Sequence, residues 1–160
     1  MKKYGLLFMS GIIAALAGFL LGLPFSNRLL RWIITGICIG VLSHGYNVRD
    51  KKLILTVLIS AVAIVSGWFL GKLITYTMVV WPIFGLIIGA SDLQKIRITT
   101  RIKNGLYGFT GGFVGVHFFP FLFFVIFPWL GVPFIAWDIE KMGLILSGGA
   151  IALAVGRRKK

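Results

Sequence analysis

Acids are scarce in this chain. Its 160 residues carry four Asp and Glu against 17 Lys and Arg, with two His and a single Cys. Each shortage removes a kind of chemistry. Four carboxylates, all near the ends of apolar segments, supply no paired acids for intramembrane proteolysis, and no Ser/His arrangement stands in for them. The two histidines, His44 and His117, fall at opposite depths, so a shared metal site is not expected. Cys38 has no second cysteine to pair with, which leaves the redox compartment open. No glycine-rich phosphate loop stands beside a strand. The expectation is a protein that is not an enzyme and holds neither cofactor nor metal.

Apolar residues fill the space. The chain is 58% hydrophobic with a mean hydropathy of +0.96, well above a soluble globular composition. Helices of a soluble core need a polar face, and these segments lack one. Runs approaching the ~20 residues that cross ~30 Å of hydrocarbon predict an all-α, polytopic membrane domain over 1–160. Its six spans are expected at about 4–23, 30–46, 53–74, 78–92, 104–124 and 141–156.

The cations are sorted by side. Lys2, Lys3, Arg49, Lys51, Lys52, Lys95, Arg97, Arg101, Lys103 and Arg157 to Lys160 lie on one side of these spans; Arg28, Arg31, Lys72 and Lys141 lie on the other. Lys and Arg are retained on the cytoplasmic face during insertion, which predicts an inner-membrane protein with both termini in the cytoplasm. Trp32, Trp81 and Trp137 then stand at outer span ends, where an indole keeps its ring in the apolar edge and its N–H among headgroups. Pro82 sits in the first turn of span four, where its missing N–H costs nothing. Ala15-Leu16-Ala17 after a basic start also matches a secretory cleavage site. The repeat described next instead marks span one as a structural helix.

Two stretches match without a gap 49 residues apart. Lys2-Lys3 recurs as Lys51-Lys52, and Gly18 and Gly22 recur as Gly67 and Gly71. Trp32-x-Ile34-x-Gly36-x-x-Ile39-Gly40 recurs as Trp81-x-Ile83-x-Gly85-x-x-Ile88-Gly89. A fixed period sets the architecture before any local reading; here it predicts stacked helical hairpins at about 2–50 and 51–99. Arg101, Lys103, Gly115 and Trp137 outline a divergent third at about 100–160. Its glycine-to-tryptophan spacing is widened by the Phe/Pro-rich stretch Pro120–Phe134, the expected lid or partner-docking element.

Every span carries small residues four apart: Gly18/Gly22, Gly36/Gly40, Gly67/Gly71, Gly85/Gly89, Gly108/Gly112 with Gly115, and Gly148/Ala152. In lipid no hydrophobic gain drives helices together, so close backbone approach must. These glycines are expected to form packing grooves of the glycine-zipper kind.

Few polar groups remain for function. His117 lies in the outer half of span five, seven residues beyond Thr110 and on the same helical face, so the pair is expected to line a substrate cavity. Ser43, His44, Ser91 and Asp92 gather at inner span ends, where local pairing explains them. Lys95, Arg97, Arg101 and Lys103 alternate with isoleucines and are expected to hold anionic lipid headgroups, cations to the phosphates. No aromatic platform accompanies these charges, so nucleic acid is not expected.

Taken together these features predict a transport component or the membrane subunit of a larger assembly, or else a partner-binding scaffold with no solute path. Size and helix count are similar to those of the substrate-binding subunits of energy-coupling vitamin transporters, a likeness of architecture with no matched motif.

Overall fold

A computed structural model describes residues 2–44, 50–91, 97–118, 121–122, 125–126, 129 and 139–156. Among these the chain forms six α-helices and no strand: α1 (Lys2–Gly22), α2 (Arg28–His44), α3 (Asp50–Leu73), α4 (Val80–Ala90), α5 (Ile98–Phe113) and α6 (Ile139–Gly156). A 3-10 turn, Thr77–Val79, leads into α4, and α5 continues into a π-helical turn, Val114–Phe118. Local chemistry sets the ends. Pro24 follows α1 closely and cannot extend it. Asn27 caps α2, its Oδ1 accepting the Leu29 N–H at 2.9 Å. Beyond α3 the N–H of Tyr76 reaches the Gly71 carbonyl at 2.7 Å and that of Thr75 the Lys72 carbonyl at 3.3 Å. This is the double closure of a Schellman cap.

Length separates the expected spans. Tyr4–Gly22 of α1 and Leu53–Leu73 of α3 are long and apolar enough to cross a membrane; Val80–Ala90 and Gly143–Ala154 are shorter apolar helices. The 11 residues of α4 rise only about 17 Å. Helix α5 starts at Ile98 rather than near 104, so Arg101 and Lys103 ride on its first turns instead of forming a separate interfacial strip.

The helices pack as an inner trio and an outer trio. Helix α1 lies against α2 and α6, α3 against α2 and α4, and α5 against α4 and α6, while α6 also touches α2 and α4. The inner contacts run in a ring. A Cβ added at Gly36 of α2 would meet Phe84 of α4, one at Gly85 of α4 would meet Ile151 of α6, and one at Gly148 of α6 would meet Ile39 of α2. Each of these glycines precedes by three residues an isoleucine with no exposed surface: Ile39, Ile88 and Ile151. Four residues before them stand Trp32, Trp81 and Leu144, all buried. The same glycines receive the outer helices, Gly36 facing Ile64, Gly85 the Gly108 carbonyl, and Gly148 Ala15 and the Gly11 carbonyl.

The remaining glycines of the small-residue pairs also sit at close approaches. Gly18 faces Thr35, Gly22 faces Arg31, Gly40 faces Ser60, Gly67 faces Val80 and Gly89 faces Asn104 and Gly105. On α5 the row divides: Gly108 and Gly112 meet Gly85 and Trp81 of α4, whereas Gly111 and Gly115 meet Ala150 and Ser147 of α6. Gly71 is buried.

Two tryptophans are placed differently from expectation. Trp32 and Trp81 lie within the bundle, 3% and 0% exposed, rather than with their rings in a lipid headgroup belt. They join Trp68 of α3: ring centroids are 5.1 Å apart for Trp32–Trp68 and 5.9 Å for Trp32–Trp81. Gly67 and the ring contacts draw α3 over them, and the indole face is worth more against another aromatic than in water. Trp137 lies outside the described residues. Buried hydroxyls are satisfied mostly along their own helix, Thr35 donating to the Arg31 carbonyl and Ser147 to that of Leu144. The Ser60 hydroxyl and the Trp81 indole N–H meet no partner among the described residues.

Gly85→Ala is expected to destabilise the fold by about 1–3 kcal/mol or more, because the new methyl overlaps the Gly108 carbonyl and must part α4 from α5. At Gly5 a Cβ meets nothing within 4 Å, so Gly5→Ala should gain about 0.5–1 kcal/mol from helix propensity. Thermal unfolding of both variants in detergent checks the contrast.

Candidate functional site

His117 is the centre of the best-defined polar contact. Its Nδ1 lies 3.0 Å from the Phe113 carbonyl oxygen, which can only accept, so Nδ1 carries the proton. The Nε2 is then left to accept the Tyr76 hydroxyl at 2.6 Å. The ring stacks on Phe113 with centroids 4.4 Å apart and leans on Tyr76 at 5.7 Å. Both ring nitrogens and one ring face are thus taken up, tying the α3–α4 connection to the far end of α5.

The local backbone explains this position. In a π turn backbone bonds run to the fifth residue rather than the fourth, and within it the imidazole N–H of His117 also reaches the Phe113 carbonyl. Tyr76 is delivered by strain. Thr75 holds φ at 55°, a left-handed conformation that costs a β-branched residue about 1–2 kcal/mol. It allows the Schellman cap that aims Tyr76 at the imidazole.

Thr110 and His117 are engaged separately among the described contacts: His117 with Phe113 and Tyr76, and Thr110 with its own helix and a surface groove. Thr110 donates to the Leu106 carbonyl at 2.9 Å and lines a groove of about 260 Å³ on the bundle surface. Phe8 of α1, Tyr107 and Gly111 of α5, Val114 of the π turn, and Ala150, Leu153 and Ala154 of α6 complete its walls. Tyr76 was not visible as a partner in the sequence, since the contact spans 41 residues and no periodicity links a loop tyrosine to a helix.

The ends of the bundle differ. On α5, Arg97, Arg101 and Lys103 are exposed together with Ile98 and Ile102, and the Lys103 ammonium stands 5.8 Å over the Tyr107 ring. At the other end Arg28 covers Trp32 at 5.0 Å and Lys72 covers Trp68 at 5.5 Å, so two of the four cations on that side cap the tryptophan cluster. Lys95, Arg49, Asp92, Pro120, Asp138 and residues 157–160 lie outside the described residues, as do the side chains of Ser43, His44, Glu140 and Lys141. Ser91 donates to the Ile88 carbonyl at 3.0 Å. Within the Phe/Pro-rich stretch, Phe121, Val125, Ile126 and Trp129 are described and all are exposed. Among the described residues no group of His, Cys, Asp and Glu is placed to hold a metal ion.

Thr75→Gly is expected to stabilise the protein by about 1 kcal/mol through relief of the left-handed backbone. Tyr76→Phe is expected to destabilise it by about 0.5–1.5 kcal/mol through loss of the hydrogen bond to His117. Melting curves of the two single variants separate the signs.

No protein-family model, curated protein or solved structure matches this chain.

Proposed function

We propose that this chain is a six-span inner-membrane protein that acts as the membrane subunit of a larger assembly, built from three helical hairpins around a closed centre. The observation that carries the reading is the filled axis: Ile39, Ile88 and Ile151 have no exposed surface and interlock with Gly148, Gly40 and Gly85. A solute path through the inner trio would have to open all three contacts. The transport reading needs His117 to meet a substrate beside Thr110, and both ring nitrogens already have partners in Tyr76 and the Phe113 carbonyl.

Several features support the six-span arrangement. The cationic residues are sorted to one side of the helices, which the insertion machinery reads as cytoplasmic. Helix α4 is short, but it is wrapped by α3, α5 and α6, and a segment enclosed by protein is free of the length that lipid contact demands. The repeat reading is supported by the ring of equivalent contacts, in which Gly148-x-x-Ile151-Ala152 takes the place of Gly36-x-x-Ile39-Gly40 and Gly85-x-x-Ile88-Gly89. Span one belongs to this ring, since Gly11 and Ala15 receive α6. The exposed basic turns of α5 offer an anionic lipid surface or a cytoplasmic partner its electrostatic contact.

Single-cysteine variants in a Cys38→Ser background test this. Lys72→Cys and Arg101→Cys should react with a membrane-impermeant maleimide from opposite faces of oriented vesicles, and Ile88→Cys should resist a small permeant thiol reagent. Labelling of Lys72→Cys and Arg101→Cys from one face would remove the topology. Ready labelling of Ile88→Cys would mean a wet centre and return the chain to the transport class.

A further inference from the structure

The groove between α1 and α5 lies over the outward face of α6, and the composition of that face shapes it. Alignment of the inner helices on Gly36, Gly85 and Gly148 places Gly149, Ala150 and Ala154 of α6 opposite Ile37, Cys38 and Leu42 of α2 and Leu86, Ile87 and Ser91 of α4. Ala150 and Ala154 leave a shallow place on the outward face of α6 beside Leu153, and a Cβ at Gly149 would meet the Phe8 ring. The cavity of about 260 Å³ falls below the ~300–1,000 Å³ of a drug-sized pocket. From Tyr107 to Val114 it runs about 10 Å along α5. Its volume over that length is a fraction of what a helix about 10–12 Å across occupies; a segment of a single hydrocarbon chain fits.

Its mouth is chemically marked. Tyr107 lines the groove, and Lys103, one turn nearer the basic end of α5, stacks over that ring. Thr99 is a further turn along the same face, and Tyr4 stands one turn before Phe8 on α1; both are exposed. Aromatic rings at the apolar edge with a cation and a hydroxyl above them match the order of groups in a phospholipid: chain, glycerol, phosphate. Arg97 and Arg101 add positive potential at the same level.

We infer that the α1–α5 groove is a retained-lipid site that takes one acyl chain of an anionic phospholipid from the cytoplasmic leaflet, with the phosphate held by Lys103 and Thr99. The site rests on the membrane orientation proposed above and names the ligand of its basic face. Lys103 supplies the headgroup preference, while the Ala150–Ala154 surface supplies the chain binding.

Native mass spectrometry of the detergent-purified protein, incubated with phosphatidylglycerol or phosphatidylcholine of identical chains, tests the site. Wild type should retain phosphatidylglycerol about fivefold better, as expected for one cation near an anionic headgroup. Lys103→Gln should lose that preference and keep the basal binding of both lipids; Ala154→Phe should lose both. Thr110→Phe, at an exposed position that fills the groove without touching the helix seams, repeats the Ala154→Phe experiment should that variant fold poorly. Equal retention of the two lipids by wild type, or unchanged retention in the groove-filled variants, overturns the site. With vesicle topology intact, such a result leaves the orientation standing; a protein that stays dissolved without detergent removes both.

Discussion

Backbone-to-backbone approach at glycine is the contact on which the rest of this fold depends. At Gly85–Gly108, Gly89–Asn104 and Gly112–Trp81 the neighbour of the missing Cβ is a carbonyl group rather than a flexible side chain. Carbonyls belong to a rigid helix and cannot swing aside, so the spacing between α4 and α5 is set by the absence of two or three methyl groups. The inner trio inherits that spacing. Only with the helices this close do Ile39, Ile88 and Ile151 close the centre, and only then can the tryptophans be drawn in from the rim.

The polar contacts are subordinate to this packing and serve its ends. Tyr76 and His117 join a strained cap to a π turn, at a place where two helices have already been brought together by Gly108 and Gly112. Arg28 and Lys72 close over the aromatic cluster instead of facing water alone. At the opposite end the cations of α5 stay exposed. Cations therefore lie over aromatic rings at both ends, on Trp32 and Trp68 at one and on Tyr107 at the other.

Much of the helical architecture is legible in the sequence because glycine spacing and apolar runs are local properties. The pairs at Gly36/Gly40 and Gly85/Gly89 mark contact faces directly, since nothing else in a membrane-like segment requires glycine at i and i+4. Three features are harder to read. The third Gly-x-x-Ile string is disguised: Leu144 stands in the tryptophan position and Ala152 in that of the second glycine. The π turn at Val114–Phe118 follows from no residue pattern that a helical wheel displays. The burial of Trp32 and Trp81 depends on the approach of α3 through Trp68, a long-range event that no window around either residue contains.

The contact between α1 and α6 joins the two ends of the chain, with Gly11 and Ala15 seated against Gly148. A ribosome adding about 5–20 residues per second needs roughly 10 s to deliver the second half of that seam after the first. Throughout that interval the glycine-lined flank of α1 lacks the helix that fills it, so this seam is among the last contacts that synthesis can complete.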